Sequence, residues 1–317
     1  MSFFQSIIVP VLKKSGKTSI WLLKLILPIS LAFRLLDYSG VLVFFADFLN
    51  PVFIHLGLPG STAIIFITSI FLPLYAPLAI ITSMTLTLRE LTILALMCQV
   101  AHNLPVESAI QAKTGTSFWA MFSVRIFMSI VIGFVLNLIL PINMGMPSFL
   151  QTSPQIMSSL GDVFIAWLIT SLRISILIVA VVTILMVTYR LLEEYNLINK
   201  LSKSIEPILK IFGLPKSTGF LWLIGNIVGL AYGGALMIDL MRDGKVTKAE
   251  GSILNYHLAI SHSILEDNLL FVALGVSIWW ILLTRLIAAW IVVWLRRLFL
   301  NLKGRLLNHS DAITSQI

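Results

Sequence analysis

An all-α polytopic membrane protein built from two related halves is the fold class this sequence predicts, and three observations predict it. Hydrophobic residues make up 58% of the 317 and charged residues only 11%, with a mean hydropathy of +0.98. A soluble domain carries about 25% charged residues, so lipid has to cover much of this surface. The apolar runs are long enough to span a bilayer as helices, and the alternation of barrel strands is absent. Finally, one polar-studded stretch occurs twice: Leu58-Pro59-Gly60-Ser61-Thr62 through His102-Asn103-Leu104-Pro105-Val106-Glu107, and Leu214-Pro215-Lys216-Ser217-Thr218 through His262-Ser263-Ile264-Leu265-Glu266-Asp267.

The repeat holds in register. At an offset of 156, Arg34-Leu35-Leu36 matches Arg190-Leu191-Leu192, Pro51 matches Pro207, and Gly57-Leu58-Pro59 matches Gly213-Leu214-Pro215. Four further residues enter the second copy. At an offset of 160, Thr87 then matches Thr247, Glu90 Glu250, His102 His262, Glu107 Asp267, Gly115 Gly275, Trp119 Trp279 and Arg125 Arg285. Matches among residues this rare mark a duplicated unit.

The elements follow in order. A first span is expected over roughly Ser19 to Leu36, after the basic residues Lys13, Lys14 and Lys17. Those lysines follow the apolar residues of the N-terminus, unlike a signal peptide's. Asp37 to Gly57, with Pro51, reads as an interfacial helix. Ser61 to Leu86 is apolar but broken at Leu72 to Pro77, where two prolines stop a helix. A run from Glu90 to Lys113 is interrupted at Asn103-Leu104-Pro105, and a clean span covers Ser117 to Leu140. The second half repeats the plan, with its hairpin tip expected at Gly229 to Gly234. The division expected is a first repeat over 1–140, an external linker over 141–161, a second repeat over 162–300 and a cytoplasmic tail over 301–317.

Basic residues orient the halves. Asp37 to Gly60 contains no Lys or Arg, whereas its counterpart holds Lys200, Lys203, Lys210 and Lys216. The positive-inside rule puts the two on opposite faces. The halves are then inverted repeats about a pseudo-twofold axis in the membrane plane. Lys13, Lys14 and Lys17 at one end, and Arg296, Arg297, Lys303 and Arg305 at the other, put both termini in the cytoplasm. If Thr218 to Met241 enters and returns, Arg242, Lys245 and Lys248 also lie inside, so each half holds three spans, an interfacial helix and a re-entrant hairpin. The formal charge of +8 is spread over helix ends, a pattern of orientation rather than of nucleic-acid binding.

Candidate functional residues fall at the same places in both copies. Ser61 and Thr62, with Ser217 and Thr218, open the hairpins. They read either as helix caps or as helix starts facing a ligand. His102 and His262 precede the helix breaks, with Asn103 and Glu107 beside one and Glu266, Asp267 and Asn268 beside the other. A lone buried histidine is ordinarily a core residue. Two in symmetric positions, each with a carboxylate, mark a substrate or ion path in a membrane. Tyr75 and Tyr232 sit at the expected tips, and Asn226 has no polar counterpart in the first hairpin. Arg125 and Arg285 are expected to be structural, paired with Glu107, Asp267, Glu90 or Glu250. Cys98 and His102 share a helix face, but Leu258 stands at the second copy's cysteine position, and one thiolate with one imidazole makes a poor metal site. No metal and no cofactor are expected, nor is enzymatic activity.

The Leu-Pro-x-Ser-Thr starts, the hairpins and the His-x-x-x-x-acid breaks resemble the Gate domain of several bacterial membrane families. These are the nucleoside-recognition proteins, the spore maturation proteins A and B, and the membrane core of the ferrous-iron transporter FeoB. The resemblance covers Leu22 to Leu140 and Trp167 to Leu300. It implies a fold similar to concentrative nucleoside transporters, in the inner membrane, with paired hairpins and broken helices around one midplane site. The function it implies is a secondary transporter of a small polar, nucleoside-like solute, coupled to H⁺ or Na⁺. The spore-maturation likeness implies the alternative, a non-transporting membrane protein acting in envelope processes or partner assembly. FeoB implies a third, a divalent metal permease, weakened by the missing GTPase motif. Homo-oligomerisation is left open.

Overall fold

The computed structural model describes residues 9–147, 159–195, 197 and 204–314. Lys200, Lys203, the middle of the expected linker (148–158) and the last three residues lie outside them, as do the first eight. All regular structure among the described residues is helical.

The first half runs α1 (Val9–Tyr38), α2 (Val41–Phe53), α3 (Thr62–Phe71), α4 (Tyr75–Ile81), α5 (Leu88–Ala101), α6 (Leu104–Lys113) and α7 (Phe118–Ile139). The second runs α8 (Leu160–Glu194), α9 (Glu206–Ile211), α10 (Gly219–Ile227), α11 (Leu230–Arg242), α12 (Lys248–Ser261), α13 (Ile264–Val272) and α14 (Ile278–Thr314). Three of these, α7, α8 and α14, are long and apolar enough to cross a membrane, and the α5/α6 pair, bent by 40°, makes a fourth candidate.

Local chemistry explains the boundaries. Helices α5 and α12 each begin with a full capping box, Thr87 with Glu90 and Thr247 with Glu250, which satisfies free N–H groups at both ends of the reciprocal pair. Pro77 falls in the first turn of α4, where its missing N–H has no partner to lose. Pro105 does the same for α6. Three expected boundaries move. The second hairpin breaks at Val228 and Gly229, at the leading edge of the expected Gly229 to Gly234 tip, and Gly233 and Gly234 are already helical. They serve close packing instead: a Cβ at Gly233 would come 3.2 Å from Gly225 Cα, and one at Gly234 would strike Ile110. Helix α1 starts ahead of the expected span, so Lys13, Lys14 and Lys17 lie within it. Helix α14 continues through the expected tail as far as Thr314.

The core is a set of broken and unbroken helices from both halves. Helix α5 packs on α7 and α12 on α14, while α12 also meets α7 and α14 meets α5. Helices α5 and α12 are buried along nearly their whole length. Helices α1 and α8 pack along each other at one side. Trp167 Nε1 donates to Ser30 Oγ (3.0 Å) toward the end of α1, and Thr183 Oγ1 to Ser15 Oγ (3.2 Å) near its start, so the two run antiparallel.

Candidate functional site

Each broken pair, α5/α6 and α12/α13, unwinds at a histidine. His102 and His262 have extended backbone, and the next residues, Asn103 and Ser263, take left-handed φ of 47° and 53°. Few side chains tolerate that region, so the tertiary structure has to hold the break open. It does so twice in the same way. Asn103 N–H donates to Ser69 O (2.8 Å) at the end of α3, and Ser263 N–H to Gly225 O (3.0 Å) on α10.

A helix end also leaves carbonyls without partners. The arginines of α7 and α14 supply the donors. Arg125 donates through Nε to Val100 O (2.7 Å) and through Nη2 to His102 O (2.8 Å). Arg285 repeats this with Ile260 O (3.0 Å) and His262 O. Both guanidiniums are fully buried. Each takes a carboxylate from the helix that follows its break: Arg125 Nη1 lies 2.6 Å from Glu107 Oε2, and Arg285 Nη2 3.2 Å from Asp267 Oδ2. Arg285 also donates to Asn268 Oδ1 (3.2 Å). Glu90 and Glu250, the other two acids considered for these arginines, close the capping boxes instead.

The two breaks meet. Proceeding outward from the histidines, Gln99 Nε2 donates to Asp267 O (2.9 Å) on one side. On the other, Gln111 Nε2 donates to Asn255 O (2.9 Å), and Gly115 abuts the Lys248 carbonyl. Residues 99–115 and 248–268 therefore run antiparallel, crossing where the imidazoles of His102 and His262 stand 5.0 Å apart.

At that crossing the repeat stops being symmetric. His102 Nε2 lies 3.5 Å from Glu107 Oε1, and His262 Nε2 reaches across to Glu107 Oε2 at 3.1 Å rather than to the carboxylate of its own half. Glu107 thus receives both imidazoles and one guanidinium. Asp267 receives Arg285, and Glu266 accepts a 2.5 Å hydrogen bond from Tyr75 of the other half. His102, Glu107 and His262 each offer one donor atom, all within 4.8 Å of one another, and all three residues are buried. Cys98 is buried but is not part of this group.

The remaining sequence candidates lie elsewhere. Thr62 and Thr218 donate their hydroxyls to the carbonyls of Pro59 and Pro215, and Ser217 donates to Glu250 Oε1 (2.5 Å). Neither Ser61 nor Thr218 caps its helix through its side chain. Ser217 so belongs to the outer end of α12, about 18 Å along that helix from His262 at 1.5 Å per residue. Asn226 turns its amide to Trp222 O of its own helix, and Tyr232 is exposed. Sequence reasoning passed over Gln99, Gln111 and Asn255, which tie the halves together. Asn255 Nδ2 alone reaches Gln111 O (3.2 Å), Thr114 O (3.0 Å) and Thr114 Oγ1 (2.8 Å). The available signal was their helical spacing: Gln99 three residues before His102 and Gln111 four after Glu107, each on the same face as the marked residue.

Among curated proteins, the "Uncharacterized membrane protein YvoD" of Bacillus subtilis (strain 168) is 31% identical to this chain over 282 residues, covering 87% of this chain and 89% of that protein. No protein-family model matches the chain, and no solved structure matches it.

Proposed function

This chain belongs to the bacterial membrane-protein family of YvoD, and from that premise we propose that it is a secondary transporter working by alternating access. The observation that carries the reading is the crossing itself. Two broken helices, one from each half, bring their ionisable breaks into one buried centre. Buried ionisable groups inside a bilayer cost about 2.5–3.5 kcal/mol each on insertion scales and mark ion or substrate paths. Discontinuous helices meeting at the midplane are how inverted-repeat transporters build their sites.

The antiparallel courses of α1 against α8, and of residues 99–115 against 248–268, support an inverted relation between the halves. In this reading α1, α5/α6, α7, α8, α12/α13 and α14 are the six spans, and α3/α4 and α10/α11 are re-entrant hairpins. The two repeats occupy 1–140 and 162–300, with the 141–161 linker outside and both termini, including the 301–317 tail, in the cytoplasm of a cell whose inner membrane holds the protein. The Gate-domain resemblance contributes the solute class, small, polar and nucleoside-like, with H⁺ or Na⁺ as coupling ion.

Alternating access moves one half against the other, so ties across the halves have to part. Tyr75 to Glu266, Gln99 to Asp267 and Gln111 to Asn255 are such ties. At roughly 0.5–1.5 kcal/mol net for a neutral bond and 1.5–3 for one to a charge, releasing them costs a few kcal/mol, within reach of a ligand-driven population shift.

The test is uptake into proteoliposomes from a panel of nucleosides and other small polar solutes, with and without H⁺ and Na⁺ gradients. Uptake that His102→Ala and His262→Ala each abolish is the expected result. Uptake indifferent to both substitutions removes the centre from the mechanism. A panel with no uptake at all overturns transport in favour of a non-transporting role in envelope assembly.

A further inference from the structure

We infer that His102, Glu107 and His262 form a binding site for a divalent first-row transition-metal ion, held between the two halves.

Each imidazole is fixed from its far side. His102 Nδ1 lies 2.9 Å from Gln99 O and His262 Nδ1 2.7 Å from Leu258 O. A carbonyl can only accept, so each Nδ1 carries a proton, and a neutral ring then presents its Nε2 lone pair on the other side. Both lone pairs face Glu107. Nε2 of His102 is 3.5 Å from Oε1 and Nε2 of His262 is 3.1 Å from Oε2, and the His262 nitrogen, in a residue with no exposed surface, makes no hydrogen bond. Two lone pairs aimed at a carboxylate repel unless a cation lies between them.

A proton is a poor fit for that cation. It can bridge one imidazole to one oxygen, which leaves the second lone pair still facing the carboxylate. The His102 separation is also beyond ordinary hydrogen-bond length. A metal ion satisfies all three donors together. With bonds of about 2.0–2.2 Å, donors around a tetrahedral ion stand ~3.4 Å apart. The carboxylate offers Oε1 to His102 at 3.5 Å and Oε2 to His262 at 3.1 Å, either side of that value, and one donor atom from each residue lies within 4.8 Å of the others. A ring whose other nitrogen donates to a backbone carbonyl is the usual arrangement around a metal-bound histidine, since it fixes the tautomer and aims the free nitrogen.

The donor set names the class of ion. Two imidazoles and one carboxylate suit Mn²⁺, Fe²⁺, Co²⁺, Ni²⁺ or Zn²⁺, whereas Mg²⁺ and Ca²⁺ require oxygen ligands throughout. The arginines set how firmly it is held. The charges of Arg125 and Arg285 are balanced by Glu107 and Asp267, so a divalent ion adds positive charge to a buried centre. That favours an ion that can leave over one held permanently. Because its ligands come from both halves, the ion also links them. Relative movement of the halves opens the site.

The inference names a ligand for the centre used in the functional proposal, and takes from that proposal only that the centre binds a ligand. The full chain, purified in detergent without a polyhistidine tag and stripped with EDTA, is titrated with Co²⁺ at neutral pH. One equivalent should bind, with the visible d–d absorption of nitrogen and oxygen coordination, and Mg²⁺ at the same concentration should not displace it. His102→Ala and His262→Ala should each weaken Co²⁺ binding more than tenfold. His257→Ala, a buried histidine outside the cluster that hydrogen-bonds Ser261 Oγ (2.7 Å), should leave it unchanged. Should the cluster variants fail to fold, the wild-type stoichiometry and spectrum still decide. No d–d bands, displacement by Mg²⁺, or binding that survives His262→Ala overturns the metal site. Co²⁺ binding without uptake of any solute or ion overturns the transport reading alone, and uptake without Co²⁺ binding overturns the metal site alone.

Discussion

Replacing Arg125 with methionine tests how the helix break is held open. The change keeps most of the side-chain volume and removes the guanidinium from a fully buried position. Three partners lose it: Val100 O, His102 O and the Glu107 carboxylate. A buried acceptor left without a donor costs about 1–3 kcal/mol, and a buried charge stripped of its partner about 3–5 kcal/mol. The combined loss of about 5–11 kcal/mol rivals the whole stability of a typical folded domain. Arg125→Met should therefore yield little folded protein, or a chain with a greatly lowered thermal midpoint in detergent. The double variant Arg125→Met/Glu107→Gln discriminates between the contributions. It removes the stranded charge and leaves only the two carbonyls, so it should recover roughly 3–5 kcal/mol relative to the single variant. Circular dichroism melts of the wild type, the single variant and the double variant give all the terms. A single variant within about 1 kcal/mol of the wild type, or a double variant no more stable than the single, would refute the view of Arg125 as the clamp on this break.

Two further outcomes follow from the packing. Gly115 has φ of 99°, and a Cβ there would strike the Lys248 carbonyl; Gly244, with φ of 69°, faces open space. Gly115→Ala should therefore cost more than Gly244→Ala, which carries only the backbone strain of about 1–3 kcal/mol, and paired melting curves should show that order. Tyr75→Phe removes the 2.5 Å bond to Glu266 across the halves, worth about 1.5–3 kcal/mol as a bond to a charged group; amide hydrogen exchange should quicken in α4 and α13 while α7 keeps its protection.

Much of this arrangement was legible in the chain itself. The break at His102 stands where Asn103-Leu104-Pro105 interrupts the apolar run, since a proline cannot continue a helix, and the break at His262, where no proline follows, was legible only through the repeat. The helix starts at Thr87 and Thr247 carry a local signal that the expected run from Glu90 did not use, since a capping box is an interaction within four residues. The glycines of α11 were misread as a tip, because close helix packing and a chain break both call for glycine, and only the neighbouring helix shows which applies.

What the sequence by itself determined is the membrane class, the duplication and the positions of the breaks, all of which rest on composition and short-range chemistry. Only the tertiary structure decided which residues share a centre. Read from the repeat, each histidine would face the acid of its own half. In the folded chain both face Glu107, Arg285 takes Asp267, and Glu266 takes Tyr75 from 191 residues away. A duplicated sequence specifies two equivalent halves. Where those halves cross, two equivalent side chains cannot fill the same space, so the packed centre is asymmetric and its one shared carboxylate is visible only once the chain is folded.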